Sequence, residues 1–442
     1  MHFFLRRRFR VAASLICFLT ACTASPDLDA ELRAKAECEP KPEGLDGEIE
    51  TITGGPGTGC VLGESFKFFY RAGTVDNIVI EFGDGGACWS EASCQLMKNV
   101  DERYRDVVNR YTDNALSLPL VRREAWAPYW DRGIHNHCRS SNPVKDWHHV
   151  YIPYCTADVH VGNSVQGAGD AFRHKGKNNV QFVLEWLEKK FRYRVGRLLL
   201  TGCSAGAYGS MFWSHRIFSD FAQNSPGTKL FYFGDSGAGV ADSEALARLM
   251  RGWSVDRHLF PNTALGEGDD GGMASLYRYI VLAHPNASFT LFNHHQDRTQ
   301  RAFYAALQLS DDEVGNAESL LHWLNEPPGL LRNLAVGTRT FVASPTINRA
   351  VEAYDAWPDY LRSQLGYLEE HAQIRVYVAE GSGHCRLHSD AFYDEGPDPS
   401  ASPNSKSLAA WLYETVLSER DPRGRLQNVI CHNCWSDPPP ER

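Results

Sequence analysis

Ser204 is the residue around which a chemistry can be assembled. It sits in Gly202-Cys203-Ser204-Ala205-Gly206, behind the apolar run Val195–Leu200 and ahead of Tyr208–Phe218, where Met211, Phe212 and Phe218 have helical spacing. A buried strand, a tight turn and a helix stacked around one serine form the setting of a nucleophile elbow. Such a turn strains the serine backbone, and glycines on either side remove side chains that would clash. The amide of Ala205, at the helix start, then points at an oxyanion formed beside Ser204. A serine hydroxyl is a weak nucleophile near neutral pH and needs a base, with an acid to orient that base. His384 is the expected base, in Glu380-Gly381-Ser382-Gly383-His384-Cys385 after the strand-like run Gln373–Ala379; His388 is its rival, deeper in the following segment. Asp235 and Asp297 compete as the acid. Lys229–Phe233, before Asp235, is the first strand-like run after the elbow, and Ser288–Phe292, before Asp297, is the second. Enzymes with this elbow keep the chain order serine, acid, histidine, and strand counting selects Asp297. Asp235 is left to hydrogen-bond loops behind the elbow.

These residues need a scaffold that brings strand ends together. Strand-like runs alternate with helical spacing at Asn178–Phe191, Glu244–Met250, Thr299–Leu307, Ala356–Leu368 and Ser407–Leu417. Alternation of this kind predicts a mainly parallel central sheet flanked by helices. Ser65–Tyr70 and Asn77–Phe82 read as two strands paired around a turn at Gly73. Behind the second lies Gly83-Asp84-Gly85-Gly86-Ala87-Cys88, a glycine cluster whose amides can approach a ligand closely and supply a second oxyanion donor. Residues 51–442 are expected to form one catalytic domain, with Pro327 to Ile347 irregular and covering the site.

The remaining features bound the function. The chain has 442 residues, 43% hydrophobic and 22% charged, with a net charge of -9 and no basic stripe, so nucleic acid is not an expected partner. Arg6, Arg7, Arg8 and Arg10 precede a short apolar stretch, Val11–Thr20, which reads as a signal peptide over residues 1–21. Leu19-Thr20-Ala21-Cys22 resembles a bacterial lipobox, which implies a lipidated Cys22 as membrane anchor, an exported protein, and a tether over residues 22–50. Ten further cysteines then favour disulfides, and a lone Cys431-x-x-Cys434 favours a disulfide over zinc. His135, His137, His148 and His149 lack an ordered metal-binding pattern and read as a loop lining a cleft; no metal and no cofactor is expected. His294 and His295 likewise read as cleft lining.

Taken together, Gly85-Gly86-Ala87-Cys88, Asn142-Pro143 with Trp147 and Ile152-Pro153-Tyr154-Cys155, Gly202-Cys203-Ser204-Ala205-Gly206, Asp235-Ser236-Gly237 and Gly383-His384-Cys385 resemble the pectin acetylesterase/Notum family. The resemblance runs over about residues 60–390. It implies an α/β-hydrolase-like fold with loop insertions over the active site, and a metal-free carboxylesterase with Ser204 as nucleophile, Asp297 as acid, His384 as base, and the amides of Gly86, Ala87 and Ala205 as oxyanion donors. It further implies a short acyl ester, such as acetate on a pectin-like glycan, as substrate. Deacylation of a lipid or lipidated protein is the alternative, and a non-catalytic glycan-binding surface lipoprotein is the reading from another class. One departure is Ala87, where the family carries tryptophan; the backbone donor survives and the pocket wall loses an aromatic ring.

Overall fold

The computed structural model describes residues 49–108, 130–260, 272–315, 345–372, 374–394, 396, 406–416, 428–432 and 434–435. The chain divides into two units, Met1–Asp46 with Cys138–Ser140, and Gly47–His137 with Ser141–Arg442. The second unit holds every described strand and helix. The expected signal peptide, most of the expected tether, all but the last residue of the acidic glycine loop 266–272 and most of 327–347 lie outside the described residues.

Eleven strands are described: β1 (Ile49–Thr53), β2 (Lys67–Arg71), β3 (Asn77–Phe82), β4 (His148–Ile152), β5 (Ser164–Gln166), β6 (Phe172–His174), β7 (Arg197–Cys203), β8 (Lys229–Asp235), β9 (Ser288–His294), β10 (Arg375–Ala379) and β11 (Val429–Ile430). Nine of them make one sheet in the order β1-β2-β4-β3-β7-β8-β9-β10-β11, and β5 and β6 form a separate hairpin. From β4 to β11 every neighbouring pair is parallel, while β1/β2 and β2/β4 are antiparallel. The fold is thus the α/β-hydrolase-like one, with helices against both faces of the sheet.

Central strands read as continuous apolar runs because both faces are covered. Alternate residues divide between two cores. Ile78, Ile80, Leu198, Leu200, Tyr232 and Leu291 face one, and Val79, Leu199, Phe231, Phe233, Phe292 and Tyr377 the other. The first core is closed by helices Gly176–Phe191, Ala205–Asn224, Gly272–Ala283 and Pro345–Ala372, and the second by Ala391–Asp394 and Leu408–Val416. Helix Ala205–Asn224 buries Met211, Phe212, Trp213, Ile217, Phe218 and Phe221 almost completely. Each such side chain contributes about 1.5–3 kcal/mol relative to exposure, which anchors the helix that follows Ser204.

One expected pairing is wrong. β2 and β3 are not partners around Gly73; β4 lies between them, antiparallel to β2 and parallel to β3. The reason is visible at Gly73. Its amide donates to His148 Nδ1 at 2.9 Å, and any Cβ there would collide with the backbone of Trp147 and His148. The link between β2 and β3 therefore wraps over the start of β4 instead of closing a hairpin. Pro345–Ala372 is helical, so the end of the expected irregular stretch is not.

Candidate active site

The carboxyl ends of the parallel strands converge, as parallel open sheets require of a ligand site. β7 ends at Cys203, in register with Asp235 at the end of β8, which in turn pairs with Phe292 in β9. Ser204 follows with φ 51° and ψ -122°, a left-handed conformation that a non-glycine residue holds only under constraint. Two constraints are evident. The Ser204 amide donates to Asp235 O at 2.9 Å. Gly206 packs so closely under the end of β3 that a Cβ would collide with the carbonyl of Phe82. The turn is therefore clamped between β3 and β8, with the buried serine at the start of a long helix whose first amide is that of Ala205.

Asp297 is the N-cap of helix Arg298–Leu307. Its Oδ1 accepts from the amides of Thr299 and Gln300, both at 3.0 Å, and it is fully buried. His384 Nδ1 lies 3.0 Å from Asp297 Oδ1 and 2.8 Å from Oδ2. Because a carboxylate only accepts, Nδ1 carries the proton and Nε2 is left with its lone pair. Burial alone would push this imidazole down, but the Asp297 carboxylate outweighs it and holds the group above its ordinary value of 6.5. A disulfide between Cys203 and Cys385, Cα atoms 5.7 Å apart, ties the residue before Ser204 to the residue after His384. Ser204, Asp297 and His384 are in this way drawn to one end of the sheet from positions far apart in the chain.

Asp235 sits behind them. Its Oδ2 accepts from the amides of Arg386 and Leu387, each at 2.6 Å, and Ser236 Oγ accepts from the Cys385 amide at 3.2 Å. Burial raises the Asp235 carboxyl, and these amides oppose that shift. Asp235 thus holds the backbone that carries His384, and among the described residues it makes no hydrogen bond to the imidazole.

In the glycine loop after β3, the Cys88 amide donates to Ala157 O at 3.0 Å. Among the described residues the amides of Gly86 and Ala87 donate to no protein acceptor. Cys88 and Cys94 form a short-range disulfide that closes the loop, and Cys60 is bonded to Cys155. Cys431 and Cys434 are bonded to each other, the disulfide expected of that motif.

His388, the rival base, is committed elsewhere. Its Nε2 donates to Glu81 Oε1 at 2.6 Å. Burial pushes it down, yet the Glu81 contact prevails and holds it up at about 9, protonated at neutral pH. His294 is not cleft lining. It is fully buried beneath Gly383, accepts from Arg386 Nε at 3.0 Å, and is pushed down to about 3 by burial and the neighbouring guanidinium. His295 is half-buried against Trp435.

The pectinacetylesterase family model matches residues 55–238, a stretch that contains Gly86, Ala87, Ser204 and Asp235. The chain is a carboxylic ester hydrolase. Its similarity to solved structures extends the likeness in fold beyond that stretch. A structure of the Wnt deacylase Notum from Drosophila is 19% identical, with 88% of this chain and 96% of that one covered and a TM-score of 0.51. A second crystal form of the same protein gives 18%, 87%, 96% and 0.51. At this identity the likeness speaks for the fold. No curated protein sequence matches the hydrolase.

Sequence reasoning missed Glu81. It lies in an apolar strand whose sequence, Asn-Ile-Val-Ile-Glu-Phe, gave no reason to single out the carboxylate. The only available signal was the cost of burying that charge, which demands partners.

Proposed function

We propose that this hydrolase is a serine esterase that removes short O-acyl groups, acetyl foremost, from a glycan such as pectin. Ser204 is the nucleophile, His384 the base and Asp297 the acid. The observation that carries the reading is the pairing of His384 Nδ1 with the buried Asp297 carboxylate, on a loop bonded through Cys385 to the Ser204 turn. Nε2 of His384 takes the hydroxyl proton as Ser204 Oγ attacks the ester carbonyl. The amides of Ala205, Gly86 and Ala87 receive the negative charge that develops on the carbonyl oxygen. Collapse of the tetrahedral intermediate breaks the bond to the alcohol oxygen, which leaves with the proton from His384. Water, activated by the same imidazole, then releases the acid from the acyl-serine. Water is consumed and no redox partner is needed.

A second reading, deacylation of longer acyl chains on lipid or lipidated protein, is favoured by Ala87, a small residue within the oxyanion loop. A non-catalytic glycan-binding role does not require an imidazole oriented by a buried acid. Labelling by a fluorophosphonate, lost in Ser204→Ala, is the expected result; an unlabelled but folded wild-type protein would overturn the serine mechanism. Acetylated glycans set against p-nitrophenyl esters of increasing chain length decide between the two acyl classes.

The protein is exported and held to a membrane through lipidated Cys22. Among the described residues no helix is long and apolar enough to cross a membrane. The proposed anchor is the acyl chains on Cys22, each buried methylene contributing about 0.8 kcal/mol. Unchanged detergent partitioning of Cys22→Ala would refute the anchor.

A further inference from the structure

The ester chemistry leaves a second histidine–carboxylate cluster without a task. Glu81, at the end of β3, is fully buried. Its Oε2 accepts from His135 Nε2 at 2.8 Å and His149 Nε2 at 2.7 Å, and its Oε1 from His388 Nε2 at 2.6 Å. The three imidazoles come from separate places: the 3₁₀ turn Gly133–His135, β4, and the segment after His384. The His135 and His388 rings stack at 18° with centroids 5.1 Å apart and present the same nitrogen to one carboxylate. One donor atom from each of Glu81, His135 and His388 lies within 4.8 Å of the others.

We propose that Glu81, His135 and His388 form a binding site for one divalent transition-metal cation of the Zn²⁺ class. Two imidazole nitrogens and a carboxylate oxygen are a donor set that such ions accept, with the remaining positions open to water. The surroundings are those of an outer shell. His149 donates Nε2–H to the Glu81 oxygen, and its Nδ1 is buried without a hydrogen-bond partner. The Asp84 carboxylate lies 3.9 Å from Nδ1 of His388, placed to favour the Nδ1–H tautomer that a metal-binding Nε2 requires. The His388 side chain is 24% exposed and gives an ion access, whereas Glu81 and His135 are closed off. The ion would take the place of the protons that the nitrogens otherwise hold against Glu81. It would tie β3, and the glycine loop that β3 feeds, to the segment that carries His384. Its role is that of a tie, with no part in the ester step, and it stands independently of the serine reading.

The full chain, stripped with a chelator, is titrated with Zn²⁺ and separately with Co²⁺. A single equivalent taken up, Co²⁺ visible bands of a low-coordinate site, and a higher melting temperature with Zn²⁺ are the expected results. His388→Asn and His135→Asn should each weaken binding by about 100-fold or more, and Asp84→Asn by about 10-fold. His388→Asn, at the partly exposed position, decides the matter if His135→Asn does not fold; its circular dichroism spectrum verifies folding. No uptake by wild-type protein at a large excess of either ion, or undiminished uptake by folded His388→Asn, overturns the proposal.

Discussion

His384 and His388 are four residues apart, each against a fully buried carboxylate, and their side chains are similarly open, 20% and 24% exposed. They differ in which nitrogen is engaged. His384 meets Asp297 through Nδ1, the nitrogen nearer the backbone, so Nε2 at the tip of the ring stays free. His388 meets Glu81 through Nε2, so its tip is occupied. The acids differ too. Asp297 serves one imidazole and two helix amides, and Glu81 serves three imidazoles. An acid that orients one imidazole by its inner nitrogen leaves a base available. An acid that gathers several by their outer nitrogens makes an anchor.

The contrast is broken most severely at the proposed nucleophile. Ser204→Ala should lower kcat by about 10⁶-fold, as removal of a hydrolase serine does, with an unchanged melting temperature because a methyl group fits the elbow. Activity retained at a sizeable fraction of wild type would remove Ser204 from the site.

Next comes the proposed acid. Asp297→Asn should cost about 10⁴-fold in kcat through the wrong imidazole tautomer. Asp235→Asn should act mainly on stability, by about 1–3 kcal/mol, because it weakens the acceptor for two buried amides. A folded, inactive Asp235→Asn beside an active Asp297→Asn would exchange the two roles.

The anchor should respond in stability instead of rate. Glu81→Ala strands His388 and its neighbours beside an empty space, and breaking a buried charge pair costs about 3–5 kcal/mol. Urea unfolding measures it. A variant as stable as wild type would mean that the cluster holds nothing together.

The smallest effect is in pH. His384 must be neutral to act, and Asp297 raises its pKa above 6.5. The kcat/KM profile should therefore fall as pH drops through a midpoint above 6.5, and the residual activity of Asp297→Asn should have its midpoint shifted downward. A midpoint that does not move would uncouple the two groups.

Much of the candidate site was legible in the chain because it depends on local backbone. A left-handed serine between a strand and a helix needs small neighbours, and Gly202 and Gly206 recorded that need. Strand ends must converge in a parallel sheet, so counting apolar runs placed Asp297 ahead of Asp235. Other features depend on contacts between distant segments, for which sequence has no period. That β4 intrudes between β2 and β3 follows from nonlocal pairing. That Cys203 finds Cys385 follows from where two loops meet. Glu81 was a stray charge in an apolar strand until tertiary structure surrounded it with His135, His149 and His388. The sequence alone determined the turn, the chain order of the candidate serine, acid and histidine, and the parallel core, because steric fit and apolar runs are local. Only the tertiary structure decided which imidazole keeps a free tip, because that depends on which buried carboxylate each one reaches.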